Sequence, residues 1–70
     1  MRQTVSAKVQ SMKQMIERTG QSDALLAKKI GCTSHHFREI AAGVRTPYYK
    51  FAVAFADVLE CDVEDLWEVV

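Results

Sequence analysis

The sequence predicts an all-α domain of five short helices, and three of its features carry that expectation. Apolar side chains recur at three- and four-residue spacing along nearly the whole chain and make up 49% of it, enough for a packed core. Gly and Pro are rare, three and one in 70 residues, and they fall between the periodic segments rather than inside them. Ahead of each segment stands a Ser, Thr or Asp, whose side-chain oxygen accepts from the unpaired amides of a helix start.

The elements follow in order. Val5, Val9, Met12 and Ile16, with Met15 beside them, form one stripe of an amphipathic helix over residues 4–19, capped by Thr4 and ended by Thr19-Gly20. Ser22 caps a second helix over 22–30 that turns Leu26, Ala27 and Ile30 inward and stops at Gly31. Thr33 caps a third over 33–42, with Phe37 and Ile40 inward and Gly43 closing it before a turn through Val44 and Arg45. Thr46-Pro47 reads as a capping hydroxyl followed by Pro at the first helical position. The fourth helix then covers 47–59 and places Tyr48, Phe51, Ala52, Phe55, Val58 and Leu59 on its inner side. Asp62, with Asp65 three residues on, opens a last helix over 62–68 in which Val63, Leu66 and Trp67 pack. No strand, repeat or linker is expected, and residues 1–70 make a single domain.

A chain of this size buries only about 60% of the surface its unfolded form exposes, which leaves room for one modest core and little for a catalytic cleft. No run of about 18 apolar residues provides a membrane span. The start of the chain lacks the apolar run of a secretory signal. Cys32 and Cys61 do not make a disulfide framework, so they read as free thiols in a cytoplasmic protein.

The formal net charge is zero, yet the charges are unevenly placed. Residues 1–56 hold all nine Lys and Arg against three acids, Glu17, Asp23 and Glu39. Asp57, Glu60, Asp62, Glu64, Asp65 and Glu68 follow with no base among them. Such a split fits one surface that faces a polyanion and another turned away from it.

The second and third predicted helices carry the functional signal. Ala27 offers a small side chain where two helices cross closely, and Gly31, four residues later, permits a tight turn with positive φ. Phe37 and Ile40 then anchor the third helix across the second. A small residue, a turn glycine and apolar anchors at these offsets describe a helix-turn-helix.

The run Ser22-Asp23-Ala24-Leu25-Leu26-Ala27-Lys28-Lys29-Ile30-Gly31-Cys32-Thr33-Ser34 resembles the Cro/repressor-type (XRE-like) helix-turn-helix family. So does the run from Phe37 through Gly43 to Pro47, and the segment from Leu59 to Trp67 is similar to the family's closing helix. The resemblance spans about Val9 to Trp67. It implies a compact lambda-repressor-like DNA-binding domain with the third helix in the major groove. Three positions depart from the family's usual residues: Asp23 stands in place of Gln, Ala41 in place of Glu, and Glu60 in place of Gly. The Gln commonly helps to hold a phosphate, so Asp23 alters the usual clamp at the second helix.

Matching the motif residue by residue places Thr33, Ser34, His35, Arg38 and Glu39 on the outer face of the third helix as base-contacting candidates. The Arg38 fork suits guanine O6 and N7, and a Glu39 carboxylate suits the cytosine amino group. Lys28, Lys29, His36, Arg45 and Lys50 are the phosphate-contacting candidates. Backbone amides at the starts of the second and fourth helices add anion-binding capacity.

Other chemistries are less well served. Cys32, His35, His36 and Cys61 suggest a metal, but Cys-x-x-His is half a zinc site and Cys61 is distant, so no metal or other cofactor is expected. His35, His36 and Glu39 on a convex helix face do not make a catalytic pocket, so no enzymatic activity is expected. The expected function is sequence-specific transcriptional regulation, with a repressor of phage or mobile-element type bound as a homodimer to a palindromic double-stranded operator. No membrane contact and no small-molecule ligand are expected. The alternative is a protein-interaction module on the same fold, antitoxin-like or a phage accessory factor.

Overall fold

The computed structural model describes residues 4–70. It is mostly helical with a small two-stranded sheet. The order is β1 (Thr4–Ala7), α1 (Val9–Thr19), α2 (Asp23–Ile30), α3 (Ser34–Ala41), α4 (Tyr49–Val58), α5 (Val63–Leu66) and β2 (Trp67–Val69). Five helices stand where five were expected. The two ends of the chain differ, because they pair with each other.

β1 and β2 are antiparallel, with Thr4 opposite Val69, Ala7 opposite Trp67, and an irregularity between. The expected first helix therefore loses its first turn. Thr4 does not cap it; this buried side chain donates its hydroxyl proton to the Pro47 carbonyl at 2.7 Å. Val5 belongs to the strand, where it is exposed, so the apolar stripe of α1 rests on Met12, Met15 and Ile16. The same pairing ends α5 at Leu66 instead of residue 68. Lys8 closes that helix by donating its backbone N–H to the Leu66 carbonyl and its ammonium to the Glu64 carbonyl, both at 2.8 Å. Two carbonyls that the short helix leaves without intrahelical partners are satisfied in this way.

The inner helix signals act as read. Ser22 Oγ accepts from the Leu25 amide, and Thr33 Oγ1 accepts from the His36 amide. Gly31 ends α2 at φ 99°, a conformation in which a Cβ would be strained. Gly43 turns the chain at φ 79°, and a Cβ there would also meet Val9 Cγ2 at 3.1 Å. At α4 the expectation shifts by two residues. Thr46 is not the cap and Pro47 is not in the helix; Tyr48 holds the N-cap position without a side-chain bond, and its carbonyl takes the first helical bond, from Ala52. The Pro47 carbonyl is instead bonded to Thr4, which holds the chain extended at that point. Tyr48 consequently faces solvent at 88% exposure rather than the core.

The core is a single cluster centred on Met12, Leu26, Phe37, Ile40, Phe55, Leu59, Leu66 and Trp67, each 1% exposed or less. Phe55 is its keystone. It stacks on Phe37 at a 5.1 Å centroid distance and meets the edge of Trp67 at 5.4 Å, so α3, α4 and β2 converge on one ring. The Trp67 indole N–H is buried there without a partner, at a typical cost of about 1–3 kcal/mol. α2 packs across α3 and α4, and α1 bridges α5 and α3. Among the described residues, no helix is long and apolar enough to cross a membrane.

Glu60, in the turn after α4, has φ 57° and is the one described non-glycine residue in the left-handed region. Its Cβ crowds the following carbonyl there, and a glycine escapes that penalty. Glu60→Gly is expected to stabilise the fold by about 1 kcal/mol. Thermal melting should show a rise of about 4–8 °C; an unchanged or lower midpoint would mean that the turn carries no strain.

Candidate nucleic-acid interface

The geometry of α3 follows from its two anchors. Phe37 and Ile40 are fully buried and Ala41 is half-buried, which fixes the inward side of the helix. At about 100° per residue the opposite side presents His35, Arg38, Glu39 and Ala42, with Ser34 and His36 on its flanks. His35, Arg38 and Ala42 are exposed, whereas Ser34, His36 and Glu39 are half-buried.

The base-contacting candidates do not stand alike. His35 is the most open, with 85% of its side chain exposed. Arg38 is exposed, and its Nε donates to the Ser34 carbonyl one turn back at 3.3 Å. Thr33 uses its hydroxyl oxygen as the N-cap of α3. Glu39 is held on both sides: its Oε1 lies 3.6 Å from His35 Nε2 and 3.6 Å from Arg45 Nε.

The phosphate-contacting candidates also separate. Lys28 and Lys29 sit exposed in the last turn of α2, and Lys29 donates to Gln21 Oε1 at 2.7 Å, bridging back to the preceding loop. His36 packs edge-on against Phe51 at a 5.7 Å centroid distance. His36, Arg45, Thr46, Pro47, Tyr48 and Phe51 line a shallow groove between α3 and the start of α4. Lys50 lies beside that groove, with Tyr48, Phe51 and Ala54. The first turn of α4 carries no acidic residue, and Tyr48 gives it no side-chain cap. Asp23, in contrast, opens α2 with a carboxylate.

The charge split seen along the chain is blurred in space at two points. Lys8 is committed to the Glu64 carbonyl, and the Arg18 guanidinium donates to the Leu59 carbonyl at 3.3 Å. Arg18 also lies in a depression with Asp57, Glu60, Asp62 and Asp65. Two of the bases thus serve the acidic third of the chain, while Arg45 and Lys50 flank Tyr48 and Phe51 at the start of α4, and Arg38 borders a depression shared with Lys13, Glu17 and Asp23.

The cysteines are half-buried free thiols. Burial pushes the Cys32 thiol up from its ordinary range. Burial also pushes Cys61 up, aided by the carboxylates of Asp65 and Asp62 and opposed by Arg18. Raised thiols are poor thiolates, so neither side chain is set up as a nucleophile. Among the described residues, no three His, Cys, Asp or Glu side chains converge as a metal site.

Sequence reasoning missed Tyr48 as a surface residue and the Glu39–Arg45 pair. The i,i+4 spacing of His35 and Glu39 is a readable signal of contact. Arg45 lies beyond the end of α3, and nothing in local spacing announces that its side chain folds back. No protein-family model, curated protein or solved structure matches the chain.

Proposed function

We propose that this protein is a sequence-specific double-stranded DNA-binding regulator that reads the major groove with the outer face of α3. A homodimer on a palindromic operator, blocking a promoter as a repressor, is the form this reading takes, because one such module reads about half a site. The observation that carries it is the outward pair His35 and Arg38 on a short helix pinned from behind by Phe37 and Ile40. A rigidly backed helix with open, hydrogen-bonding side chains and flanking cations is what direct base readout needs. The resemblance of residues 22–47 to the Cro/repressor type supports the same reading.

Arg38 is the residue to test. On a DNA site selected by this protein, Arg38→Ala is expected to lose about 1–3 kcal/mol of discrimination at one base pair of each half-site. Competition binding with single-base variants of that site measures it. An equal loss on every sequence would make Arg38 a backbone contact instead.

A protein-interaction role is the second reading. Tyr48, at 88% exposure beside the half-buried Phe51, favours it, since an exposed large aromatic at an apolar surface groove is a feature of protein-contact surfaces.

A further inference from the structure

We propose that Glu39 is a positioning residue and that Arg45, which it holds, is the guanine reader at this end of α3; this rests on the DNA-binding reading above. Glu39 governs the turn after α3 in two independent ways. Its backbone carbonyl accepts from the amides of both Val44 and Arg45, at 3.0 and 3.4 Å, which folds the chain back along the helix. Its carboxylate then faces Arg45 Nε at 3.6 Å.

The geometry of that second contact matters. A guanidinium met on its Nε edge keeps its outer edge free, where the two terminal nitrogens present a fork with two parallel donors. A forked pair of donors matches guanine O6 and N7 in the major groove. Arg45 remains 56% exposed at its side chain, so the fork is open to a ligand while its stem is tethered. Glu39 is only 26% exposed and already faces two cationic or protonatable groups, Arg45 and His35. A carboxylate so placed is a poor acceptor for a cytosine amino group and would repel nearby phosphates unless Arg45 neutralised it. Holding the arginine lowers the conformational freedom that it loses on binding, and that advantage is gained on sequences offering a guanine at the right step.

The predicted signature separates this role from direct readout. Selectivity is the affinity for the selected duplex divided by that for a scrambled duplex of the same length. Glu39→Gln is expected to lower selectivity about tenfold, with scrambled-duplex affinity unchanged or raised because an anion has been removed. Arg45→Ala is expected to lose discrimination at one G·C pair. Adding Glu39→Gln to Arg45→Ala is then expected to change selectivity no further. An undiminished effect of Glu39→Gln in the Arg45→Ala background would overturn the proposal, since Glu39 would then act on DNA itself.

A measurement without DNA keeps the two readings distinguishable. In the native protein, proton–nitrogen NMR is expected to show an Arg45 Nε–H whose exchange with water speeds up in Glu39→Gln, while the Val44 and Arg45 amides stay protected. Unchanged Nε–H exchange overturns the positioning role whether or not any DNA binds. Loss of amide protection overturns it too, by making Glu39 a residue that holds the fold. Retention of the NMR signature with no selectable DNA site removes the guanine reader and the functional reading together, and leaves the Glu39–Arg45 tether standing alone.

Discussion

Phe55→Ala is expected to remove most of the stability of this domain. The ring is fully buried and touches both Phe37 and Trp67, so truncation empties the point where α3, α4 and β2 meet. Phe→Ala in a core costs about 3–5 kcal/mol, the lost transfer energy plus a cavity that the surroundings refill incompletely. Domains of this size are stabilised by about 5–10 kcal/mol, and each kcal/mol is worth about 4–8 °C in melting temperature. Calorimetry or circular dichroism should therefore show a drop of about 15–30 °C. A drop below about 5 °C would mean that the three elements are held by other contacts.

The inner part of this architecture was legible and its ends were not, for a physical reason. Helix caps and turn glycines act within three or four residues, so Ser22, Gly31, Thr33 and Gly43 could each be read from their immediate neighbours. The inward residues Leu26, Ala27, Phe37, Ile40, Phe55 and Leu66 were equally legible, because helical periodicity singles them out and burial obeys it; Trp67 is buried too, but from the strand β2 rather than a helix. The sheet is a different matter. It joins Thr4–Ala7 to Trp67–Val69, two segments at opposite ends of the chain, and neither has the length or alternation to announce a strand. Each passes for the frayed turn of a helix until its partner is known. The start of α4 failed for the same non-local cause, since the Pro47 carbonyl bonds to Thr4, a residue 43 positions away.

The candidate site divides along the same line. Which side of α3 faces outward follows from Phe37 and Ile40, so His35, Arg38 and Glu39 could be placed from spacing alone. What those side chains touch could not. Thr33 serves as a cap, His36 lies against Phe51, and Glu39 faces Arg45 across the end of the helix. These pairings divide a row of equivalent polar candidates into exposed side chains and side chains engaged with their neighbours. The departures from the family pattern also acquire a structure: Glu60 occupies a left-handed position that suits glycine, and Asp23 brings a carboxylate to the start of α2.

The second large effect is expected in salt. Binding that neutralises phosphates releases condensed counterions, and the logarithm of affinity falls with the logarithm of salt at a slope near −0.9 per phosphate contacted. Lys28, Lys29 and Lys50 offer about three such contacts per protomer. Raising salt from about 50 to about 200 mM should then weaken binding about fortyfold for one protomer and about two-thousandfold for a dimer. Lys50→Ala should make the slope shallower by about one unit per protomer. Fluorescence anisotropy across a salt series measures both. A flat dependence would show that the cations near α3 and α4 do not meet phosphates.

The central claim is that the outer face of α3 reads a DNA sequence, and selection from a random-sequence duplex pool tests it most directly. Several rounds with the purified protein, followed by sequencing, are expected to enrich a palindromic site whose half-sites lie about one helical turn apart. Loss of preference at one base pair per half-site on Arg38→Ala is expected to accompany it. A pool that emerges from selection without any enriched sequence would contradict the account.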